Sequence, residues 1–406
     1  MGNEESIGSV LVVGGGLASV SFVNPLRGAG FSGDVRVIEA ETEPAYDRPP
    51  LSKEFLRDGE PTNIRLDTSR APGVEWLHGH SVSAIETARS VVRLSNGSEL
   101  AYGTLVLATG ARPPSCLLCA ASGLQLFTLR TLDDAKQIRS TLKPGARLLV
   151  VGGGVIGLEL AANARGLGCE VMIVEATDRL MNRCSPATLS NLMADCHRAH
   201  GIDLRLKTQV RDIRHGSVLL DDGTTFAADR MVIGIGVVAK QQLASAAGIA
   251  WHDGIFVDGF GRTTCPRVLA IADVTRQRNP VSGRFERIET WSNAQNQGAA
   301  VAGALVAESP LPYADPPWFW SDQFEMKIQV AGLATGDSRN HSRPSCRRWK
   351  VRADSGPQGR AVGVTCVNNA REFVSLKRLL TFDGLPDVSE LANPTNDLRK
   401  LLQASA

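Results

Sequence analysis

The sequence predicts an α/β protein with two similar strand–turn–helix units and a separate α+β region at its C-terminal end. A repeated motif and a later change of pattern carry this prediction. A short apolar run breaks into glycines and resumes with helical spacing twice, as VLVVGGGLAS at 10–19 and as LLVVGGGVIGLE at 148–159. This pattern is typical of a strand, a tight turn and a helix. From about Pro316 onwards the alternation changes, which indicates a further domain.

Length and composition restrict the class of protein. A chain of 406 residues is longer than a domain with one hydrophobic core usually is, so two or three domains are expected. With 43% hydrophobic and 21% charged residues, the composition is that of a folded globular protein. The formal net charge of +2 predicts neither a nucleic-acid partner nor a membrane partner. No run of eighteen apolar residues occurs and positions 1–9 lack signal-peptide features, so we expect a cytoplasmic protein. A monomer or weak homo-oligomer is expected, and the sequence leaves the oligomeric state open.

The cysteines and histidines give little sign of a metal site. Of the eight cysteines, only Cys116 and Cys119 form a C-x-x-C pair. A metal site normally needs a second such pair or histidines at ligand spacing, so no metal is predicted. A redox disulfide at this pair is the alternative to reduced thiols, the usual cytosolic state. The seven histidines are interpreted as surface or incidental residues, and none is assigned as a general base.

The first glycine turn has the spacing of a dinucleotide-binding site, with Gly14 and Gly16 followed by Ser19 in the third place. The two glycines allow a tight turn and a close approach of the backbone to a pyrophosphate at the helix N-terminus. The next strand ends at Glu39, where an acid can accept hydrogen bonds from an adenosine ribose. Pro25 falls inside the following helix and should end or kink it.

The second glycine turn is complete, with Gly152, Gly154 and Gly157. Glu175, at the end of the next strand, would bond both ribose hydroxyls of NADH and repel the extra phosphate of NADPH. Arg179 and Arg183 lie close by and could favour that phosphate, so the alternative cofactor stays open. Two dinucleotide sites predict two Rossmann-like domains, and they suggest a flavoprotein that takes a hydride from a nicotinamide cofactor.

Shorter strands follow each glycine unit at matching distances. TLVLATG at 104–110 and RMVIGIGV at 230–237 are typical of buried strands that run into glycine turns. The alternating segments 90–102 and 218–227 precede them and predict small antiparallel insertions.

The last part of the chain has fewer clear patterns. LAIADV at 269–274 predicts a short strand, and 292–307 predicts a helix. The run WFW at 318–320 alternates as a strand would, with one face in the core and one exposed. The stretch 338–359 is dense in Arg, Ser and Pro, and is either a long exposed loop or a local irregularity.

The segment YDRPPLSK at 46–53 distinguishes two classes of flavoprotein. Disulfide reductases of this general build carry a cysteine pair after the first strand–turn–helix unit, but here no cysteine precedes Cys116. Arg48 and Lys53 lie in the turn instead. A lysine near the pyrimidine end of a flavin would stabilise negative charge on the reduced ring. A surface loop with solvated charges is the alternative.

Over nearly its whole length the chain resembles the ferredoxin reductase components of bacterial aromatic-ring dioxygenase systems, the biphenyl type above all. The matching motifs lie at 46–56, 104–113, 148–162, 254–266, 272–280, 283–298, 320–323 and 364–371. The resemblance implies a glutathione-reductase-like fold. Its expected parts are an FAD-binding domain at 1–113 and 244–316, an NADH-binding domain at 114–243 and a C-terminal domain at 317–406.

The resemblance also implies roles for individual residues. FAD contacts are expected from Gly14, Gly16, Glu39, Arg48, Lys53, Ala108, Thr109, Gly110, Asp273 and Trp291. NADH contacts are expected from Gly152, Gly154, Ile156, Gly157, Glu159, Glu175, Arg183 and Gly236. Residues expected to take part in the reaction are Lys53, Glu159, Glu289 and Trp320. For Trp320, simple packing is the alternative.

The activity implied by the resemblance is electron transfer from NADH through FAD to a [2Fe–2S], Rieske-type ferredoxin. That ferredoxin would feed a terminal oxygenase in aromatic hydrocarbon catabolism. An NADH oxidase and a disulfide reductase are alternatives, and the missing early cysteine pair argues against both. An NADH-binding, redox-sensing flavoprotein is a further alternative, because its cofactor sites would look the same.

Overall fold

The chain forms two compact units in the computed structural model. The first unit comprises Met1–Asp47, Thr62–Arg112 and Val238–Trp318, and the second comprises Arg48–Pro61, Pro113–Val237 and Phe319–Ala406. The structure describes residues 7–59, 64–115, 124–214, 216–332, 339–346, 349–355 and 361–381, with a few positions between 390 and 401. The predicted pair Cys116 and Cys119 lies outside these residues.

The first unit is built on a five-stranded parallel sheet. Its strands, in spatial order, are Val268–Ala270, Thr104–Leu107, Val10–Val13, Val35–Glu39 and Val74–His78. The central strand is buried at every position, as expected where both faces of a parallel sheet are covered. The helices Leu17–Gly28 and Trp291–Val306 approach closely, since a Cβ on Gly298 would lie 2.7 Å from the carbonyl oxygen of Ala18.

The structure refines two predictions for this unit. Pro25 does not end its helix, which runs from Leu17 to Gly28 and places the proline in the last turn, where one backbone bond is lost. Its carbonyl still accepts a bond from the Ala29 amide at 2.8 Å. The strand predicted at 269–274 is also too long. It ends at Ala270, because Ala272 takes φ +66° and opens the 3-10 turn Ala272–Val274.

Smaller elements complete the first unit. The predicted insertion near 90–102 is confirmed as an antiparallel sheet of Val82–Glu86, Val91–Leu94 and Glu99–Ala101. A second small sheet contains Ile255–Phe256, Thr275–Arg278 and Phe285–Glu286. The two-residue strands Ala111–Arg112 and Val238–Ala239 pair with each other, and the helix Gln242–Ala246 follows them.

The second unit repeats the parallel architecture. Its central sheet has the order Asp203–Leu206, Glu170–Glu175, Arg147–Val151, Arg230–Ile233 and Gln125–Phe127. The helices that accompany it are Leu132–Thr141, Val155–Gly166 and Ala187–Ala199. The second predicted insertion is confirmed as an antiparallel sheet of Val210–Arg214, Ser217–Leu220 and Thr225–Ala227. A 3-10 turn and a short helix, Pro49–Ser52 and Glu54–Asp58, belong to the same unit.

The C-terminal part forms an antiparallel sheet covered by one helix, Ala370–Leu379. The strand order is Trp318–Gln323, Met326–Gly332, Ala361–Val367, Trp349–Ser355 and Arg339–Cys346. The stretch near 338–359 is therefore not a long loop, since two paired strands occupy most of it. Pro344 lies in the edge strand, where a missing amide is tolerated.

The run WFW at 318–320 differs from its prediction, because Trp318, Phe319 and Trp320 are all partly exposed. The buried positions of this strand are Ser321 and Gln323, both at 0% exposure. Its inward face is polar, and hydropathy alone therefore pointed to the wrong residues.

The predicted fold class, α/β with two Rossmann-like domains and an α+β C-terminal region, is confirmed by the two parallel sheets and the separate antiparallel sheet. Within the described ranges, no helix is long and apolar enough to cross a membrane.

Candidate functional site

The two glycine turns share one backbone geometry. Gly14 and Gly152 both have φ +108°, a conformation that residues with a side chain rarely adopt. A Cβ on Gly14 would lie 2.3 Å from the Ala108 carbonyl oxygen, and one on Gly152 would lie 2.4 Å from the Gly234 carbonyl oxygen. In both units the first glycine is therefore pressed against the residue that directly follows a neighbouring parallel strand.

Ser19 explains how the first site works without a third glycine. In the second site Gly157 packs directly on the turn, because its Cβ would stand 2.5 Å from the Gly152 carbonyl oxygen. In the first site the buried hydroxyl of Ser19 donates a hydrogen bond to the Gly14 carbonyl. The Ser19 hydroxyl in the first site and the Cα of Gly157 in the second site therefore lie against equivalent carbonyl groups, those of Gly14 and Gly152. Ser19 is thus part of the first turn.

The acids predicted to bind ribose are held in equivalent ways. Glu39 accepts hydrogen bonds from the amides of Gly15 and, at 2.9 Å, Glu41. Glu175 accepts from the Gly153 amide at 2.7 Å and from the amide and hydroxyl of Thr177 at 2.8 and 2.7 Å. Each carboxylate is fixed beside its glycine turn and keeps acceptor capacity for a ligand hydroxyl.

The helix ends at both turns fit the pyrophosphate of a dinucleotide. Gly16 and Gly154 are the N-cap residues, neither has a side-chain cap, and neither helix has an acid in its first turn. No atom lies within 4 Å of a Cβ built on Gly16, and the nearest to one on Gly154 is 3.9 Å away. Free space at the positive end of a helix suits an anionic group. Ile156, 39% exposed, adds an apolar surface in the first turn of the second helix.

The remaining candidates of the first unit, for FAD contact and, in the case of Glu289, for the reaction, are held by hydrogen bonds and an ion pair. The Thr109 hydroxyl donates to the Lys240 carbonyl at 2.9 Å, and the Lys240 amide donates to the Gly110 carbonyl at 2.9 Å. Trp291 is the first residue of its helix, and its indole N–H donates to Asp47 Oδ1 at 2.7 Å. The carboxylate of Glu289 forms an ion pair with Arg287 at 2.8 Å.

Asp273 lies in the 3-10 turn that follows the strand Val268–Ala270. Its neighbour Ala272 donates its amide to the side chain of Gln297 at 2.6 Å, which ties the turn to the helix Trp291–Val306. Gln297 and Asn293 also bond the buried Gln277, at 2.5 and 2.6 Å. Polar side chains near the start of this helix therefore hold the Asp273 turn in place through buried hydrogen bonds.

Lys53 and Glu159 form the centre of a buried polar cluster in the second unit. Lys53 Nζ lies 2.8 Å from Glu159 Oε2, and the two side chains are 9% and 1% exposed. Ser52 also donates to Glu159 Oε2, and Ser321 donates to Oε1 at 2.7 Å. The ammonium group stands 5.7 Å from the centre of the Trp320 ring, within the range of a cation–π contact. The alternative of a solvated surface lysine is wrong.

The arginines near the second site differ in their surroundings. Arg179 bonds the carbonyls of Ser185 and Asn182, at 2.6 and 2.9 Å, and so faces its own loop. Arg183 Nη1 lies 3.4 Å from a Cβ built on Gly236, so these two NADH candidates are neighbours. In the same unit Arg48 donates to the Arg130 carbonyl at 2.6 Å.

Sequence reasoning missed a polar chain that starts at Glu159. Gln323 donates to the Ser321 hydroxyl at 3.0 Å, and its carbonyl oxygen lies 3.0 Å from His197 Nε2. His197 is fully buried, so its assignment to the surface is wrong, and burial lowers its pKa. The signal was present, because His197 shares the 3.6-residue period of the buried face that includes Leu189 and Met193.

A second group of side chains was also missed. Cys196, His200 and Glu325 place their ligand-type atoms within 4.8 Å of one another, which contradicts the prediction that no histidine belongs to a cluster. Burial, helped by the Glu325 carboxylate, raises the pKa of the Cys196 thiol to about 11. Burial likewise raises the pKa of Cys184 to about 11. Neither thiol has the low pKa typical of reactive redox cysteines.

Comparison with known families identifies both parts of the chain. The family model described as "Pyridine nucleotide-disulphide oxidoreductase" matches residues 8–298. A second family model, "Reductase C-terminal", matches residues 318–402.

Characterised relatives match almost the full length. The "Anthranilate 1,2-dioxygenase system ferredoxin--NAD(+) reductase component" of Burkholderia cepacia is 36% identical over 401 residues, which cover 97% of this chain and 98% of the relative. Putidaredoxin reductase of Pseudomonas putida is 35% identical and covers 98% and 97%. The reductase in a covalent putidaredoxin reductase–putidaredoxin complex superposes with a TM-score of 0.92 at 33% identity, covering 98% and 99%. The family predicted from the sequence is confirmed.

Proposed function

Because this chain belongs to the pyridine nucleotide-disulphide oxidoreductase family, we propose that it is an FAD-dependent NADH:ferredoxin reductase. Its electron acceptor is a [2Fe–2S], Rieske-type ferredoxin of an aromatic-ring dioxygenase system. The observation that carries the proposal is the pair of matching dinucleotide turns, each with a glutamate fixed beside it. When bound, FAD supplies the ability to take two electrons together and release them singly. The relatives support this enzyme class and both cofactors.

Each cofactor is assigned to its own set of residues. FAD is held by Gly14, Gly16, Glu39, Arg48, Lys53, Ala108, Thr109, Gly110, Asp273 and Trp291. NADH is held by Gly152, Gly154, Ile156, Gly157, Glu159, Glu175, Arg183 and Gly236. The anchored carboxylate of Glu175 favours NADH, and Arg179, which bonds its own loop, gives no support to NADPH. The proposed domains are 1–113 with 244–316 for FAD, 114–243 for NADH and 317–406 at the C-terminal end.

The reacting groups proposed are Lys53, Glu159, Glu289 and Trp320. Lys53 carries a buried positive charge that would stabilise negative charge on a bound flavin. Glu159 holds the lysine in one position. Glu289 forms a separate ion pair with Arg287. The Trp320 ring lies 5.7 Å from the ammonium group and is proposed as the aromatic at the flavin edge.

The state and the positions of the cysteines argue against disulfide reduction as the activity of this protein. In the part of the chain that the structure describes, Cys169, Cys184, Cys196, Cys265 and Cys366 are all unpaired thiols. The position after the first strand–turn–helix unit holds Lys53 where disulfide reductases of this build carry their cysteine pair. Since NADH is a cytosolic reductant, a cytoplasmic location belongs to the same proposal.

The test uses the purified yellow protein. NADH-driven reduction of cytochrome c is measured with and without an added [2Fe–2S] ferredoxin, next to oxygen uptake and reduction of a disulfide substrate. The proposed function requires cytochrome c reduction that depends on ferredoxin and exceeds both other rates. Rapid disulfide reduction or oxygen uptake without need of ferredoxin would exclude it. Slow turnover with every acceptor, despite rapid reduction of the bound flavin by NADH, would favour the redox-sensing alternative.

A further inference from the structure

The cluster of Cys196, His200 and Glu325 lies apart in sequence from every residue assigned to FAD or NADH. Cys196 and His200 are one helical turn apart, at the end of the helix Ala187–Ala199. Glu325 comes from the turn between the strands Trp318–Gln323 and Met326–Gly332. All three belong to the second unit. From this arrangement we infer that Cys196, His200 and Glu325 form a binding site for a zinc ion.

The distances between the ligand-type atoms fit a tetrahedral metal. Cys196 Sγ lies 3.8 Å from Glu325 Oε1, and His200 Nε2 lies 3.4 Å from Glu325 Oε2. All three ligand atoms fall within 4.8 Å of one another. Zinc with bonds of about 2.3 Å to sulfur and about 2.0–2.1 Å to nitrogen and oxygen separates its ligands by roughly 3.3–3.6 Å. Rotation of the three side chains brings the atoms, now within 4.8 Å of one another, to these separations.

The imidazole of His200 is held as a metal ligand usually is. Its Nδ1 lies 2.9 Å from the Cys196 carbonyl oxygen, to which it can only donate, and its Nε2 points to Glu325 Oε2 at 3.4 Å. A ligating histidine almost always gives its other ring N–H to such an acceptor. The ring is also stacked on Phe324, with centroids 3.8 Å apart and planes at 11°. Both contacts fix the direction of Nε2 before any ion binds.

The turn that presents Glu325 is held as well. Phe324 takes φ +52°, which is uncommon for a residue with a side chain. The Asn368 side chain donates to the Glu325 carbonyl at 2.9 Å and accepts from the Lys327 amide at 2.6 Å. The hydrogen bonds of Asn368 therefore fix the backbone that carries the Glu325 carboxylate.

The donor set selects the metal class. A thiolate with an imidazole and a carboxylate suits zinc, whereas magnesium and calcium prefer sites made of oxygen alone. The His200 and Glu325 side chains are 38% and 61% exposed, which leaves a fourth position for water. Binding releases the thiol proton to solvent and joins the helix Ala187–Ala199 to the 324–325 turn.

A nucleophilic triad is the other chemistry that these residue types suggest. In such a triad the imidazole must accept the proton of the thiol. Here Nδ1, 3.8 Å from Cys196 Sγ, is engaged with a backbone carbonyl, and the sulfur faces a carboxylate. The arrangement thus lacks the base that a nucleophile needs.

The test is zinc binding to the flavin-loaded, tag-free protein after chelator treatment and dialysis. Calorimetry should find one zinc per chain, and X-ray absorption at the zinc edge should show one sulfur at about 2.3 Å among nitrogen and oxygen ligands. Cys196→Ser should remove the sulfur signal. His200→Ala and Glu325→Gln should each weaken binding by about tenfold or more. The flavin spectrum and circular dichroism verify that each variant is folded.

Two control variants keep the inference falsifiable. Cys265→Ser alters another partly exposed free thiol, and a Cys116→Ser, Cys119→Ser double variant removes the C-x-x-C pair. Both should bind zinc as the parent does. The inference is overturned if the parent binds no zinc at roughly micromolar concentration, if the sulfur signal survives in Cys196→Ser, or if the C-x-x-C variant is the one that loses it. None of these readouts depends on ferredoxin reduction.

Discussion

The carboxylate of Glu159 and the ammonium group of Lys53 form an ion pair at 2.8 Å, although 106 positions separate the two residues in the chain. Both side chains are almost completely buried, and Ser52 and Ser321 satisfy further oxygen lone pairs of the carboxylate. Removing charges from water is costly, so such a pair is stable only while both partners are present. The pair therefore sets the charge at the proposed reacting centre.

Glu159→Gln should destabilise the protein, because it leaves Lys53 charged and buried without a counter-ion. The expected loss is about 3–5 kcal/mol in the free energy of unfolding, measured by urea denaturation of the flavin-loaded protein. Combining it with Lys53→Met should recover most of the loss. Glu75→Gln, in the exposed pair with Arg36, is the control and should cost less than about 1 kcal/mol. A double variant no more stable than Glu159→Gln alone would contradict this account of the pair.

Glu175→Gln should reduce the preference for NADH. The variant loses a charge-assisted hydrogen bond to the ribose, worth roughly 1.5–3 kcal/mol, so kcat/KM for NADH should fall about tenfold or more while that for NADPH changes less. Thr177→Val is the matched control, because it removes a 2.7 Å bond to Glu175 and keeps the charge. Equal turnover of both nucleotides by the unmodified protein would refute the assignment of Glu175.

Gly157→Ala and Ser19→Ala test the third position of the two turns. The new methyl group in Gly157→Ala would stand 2.5 Å from the Gly152 carbonyl oxygen, so the turn must shift. We expect KM for NADH to rise roughly tenfold, the effect of about 1.4 kcal/mol of lost binding, with FAD retained. Ser19→Ala removes only a hydroxyl bond, about 1 kcal/mol, and should affect FAD and not NADH. An unchanged KM for NADH in Gly157→Ala would disprove this geometry.

Asp273→Ala should weaken the retention of FAD. Its carboxylate is proposed to accept a hydrogen bond from the cofactor, and the loss is roughly 1.5–3 kcal/mol, or about tenfold or more in the dissociation constant. Dialysis followed by the absorbance of the bound flavin measures it. Glu308→Ala, an exposed acid of the same unit, should retain FAD like the parent. If Asp273→Ala loses no more flavin than Glu308→Ala, the proposed FAD site is misplaced.

The sequence predicted best those features that a local backbone requirement determines. Gly14 and Gly152 need a positive φ and room for a carbonyl, and Glu39 and Glu175 follow at the end of the next strand. All four can be identified from spacing alone, because each lies within one strand–turn–helix–strand unit.

Features that join distant segments could not be predicted in the same way. The bond from Lys53 to Glu159 and the chain from Ser321 to His197 connect segments more than a hundred residues apart. Polar residues on a buried strand face also resemble exposed ones in sequence, as Ser321 and Gln323 do. The effect of Pro25 depends on how near the helix end the proline falls, which the spacing of the motif alone does not give.

Two electrons from NADH are proposed to leave this protein one at a time to a ferredoxin. The most direct test is an anaerobic stopped-flow experiment in which the flavin-loaded protein, mixed with one equivalent of NADH, meets an excess of oxidised [2Fe–2S] ferredoxin. We expect two ferredoxins to be reduced for each NADH consumed, followed by the ferredoxin absorbance. A ferredoxin that stays oxidised after NADH has reduced the flavin, together with reoxidation of the protein by a disulfide substrate, would contradict electron transfer to ferredoxin.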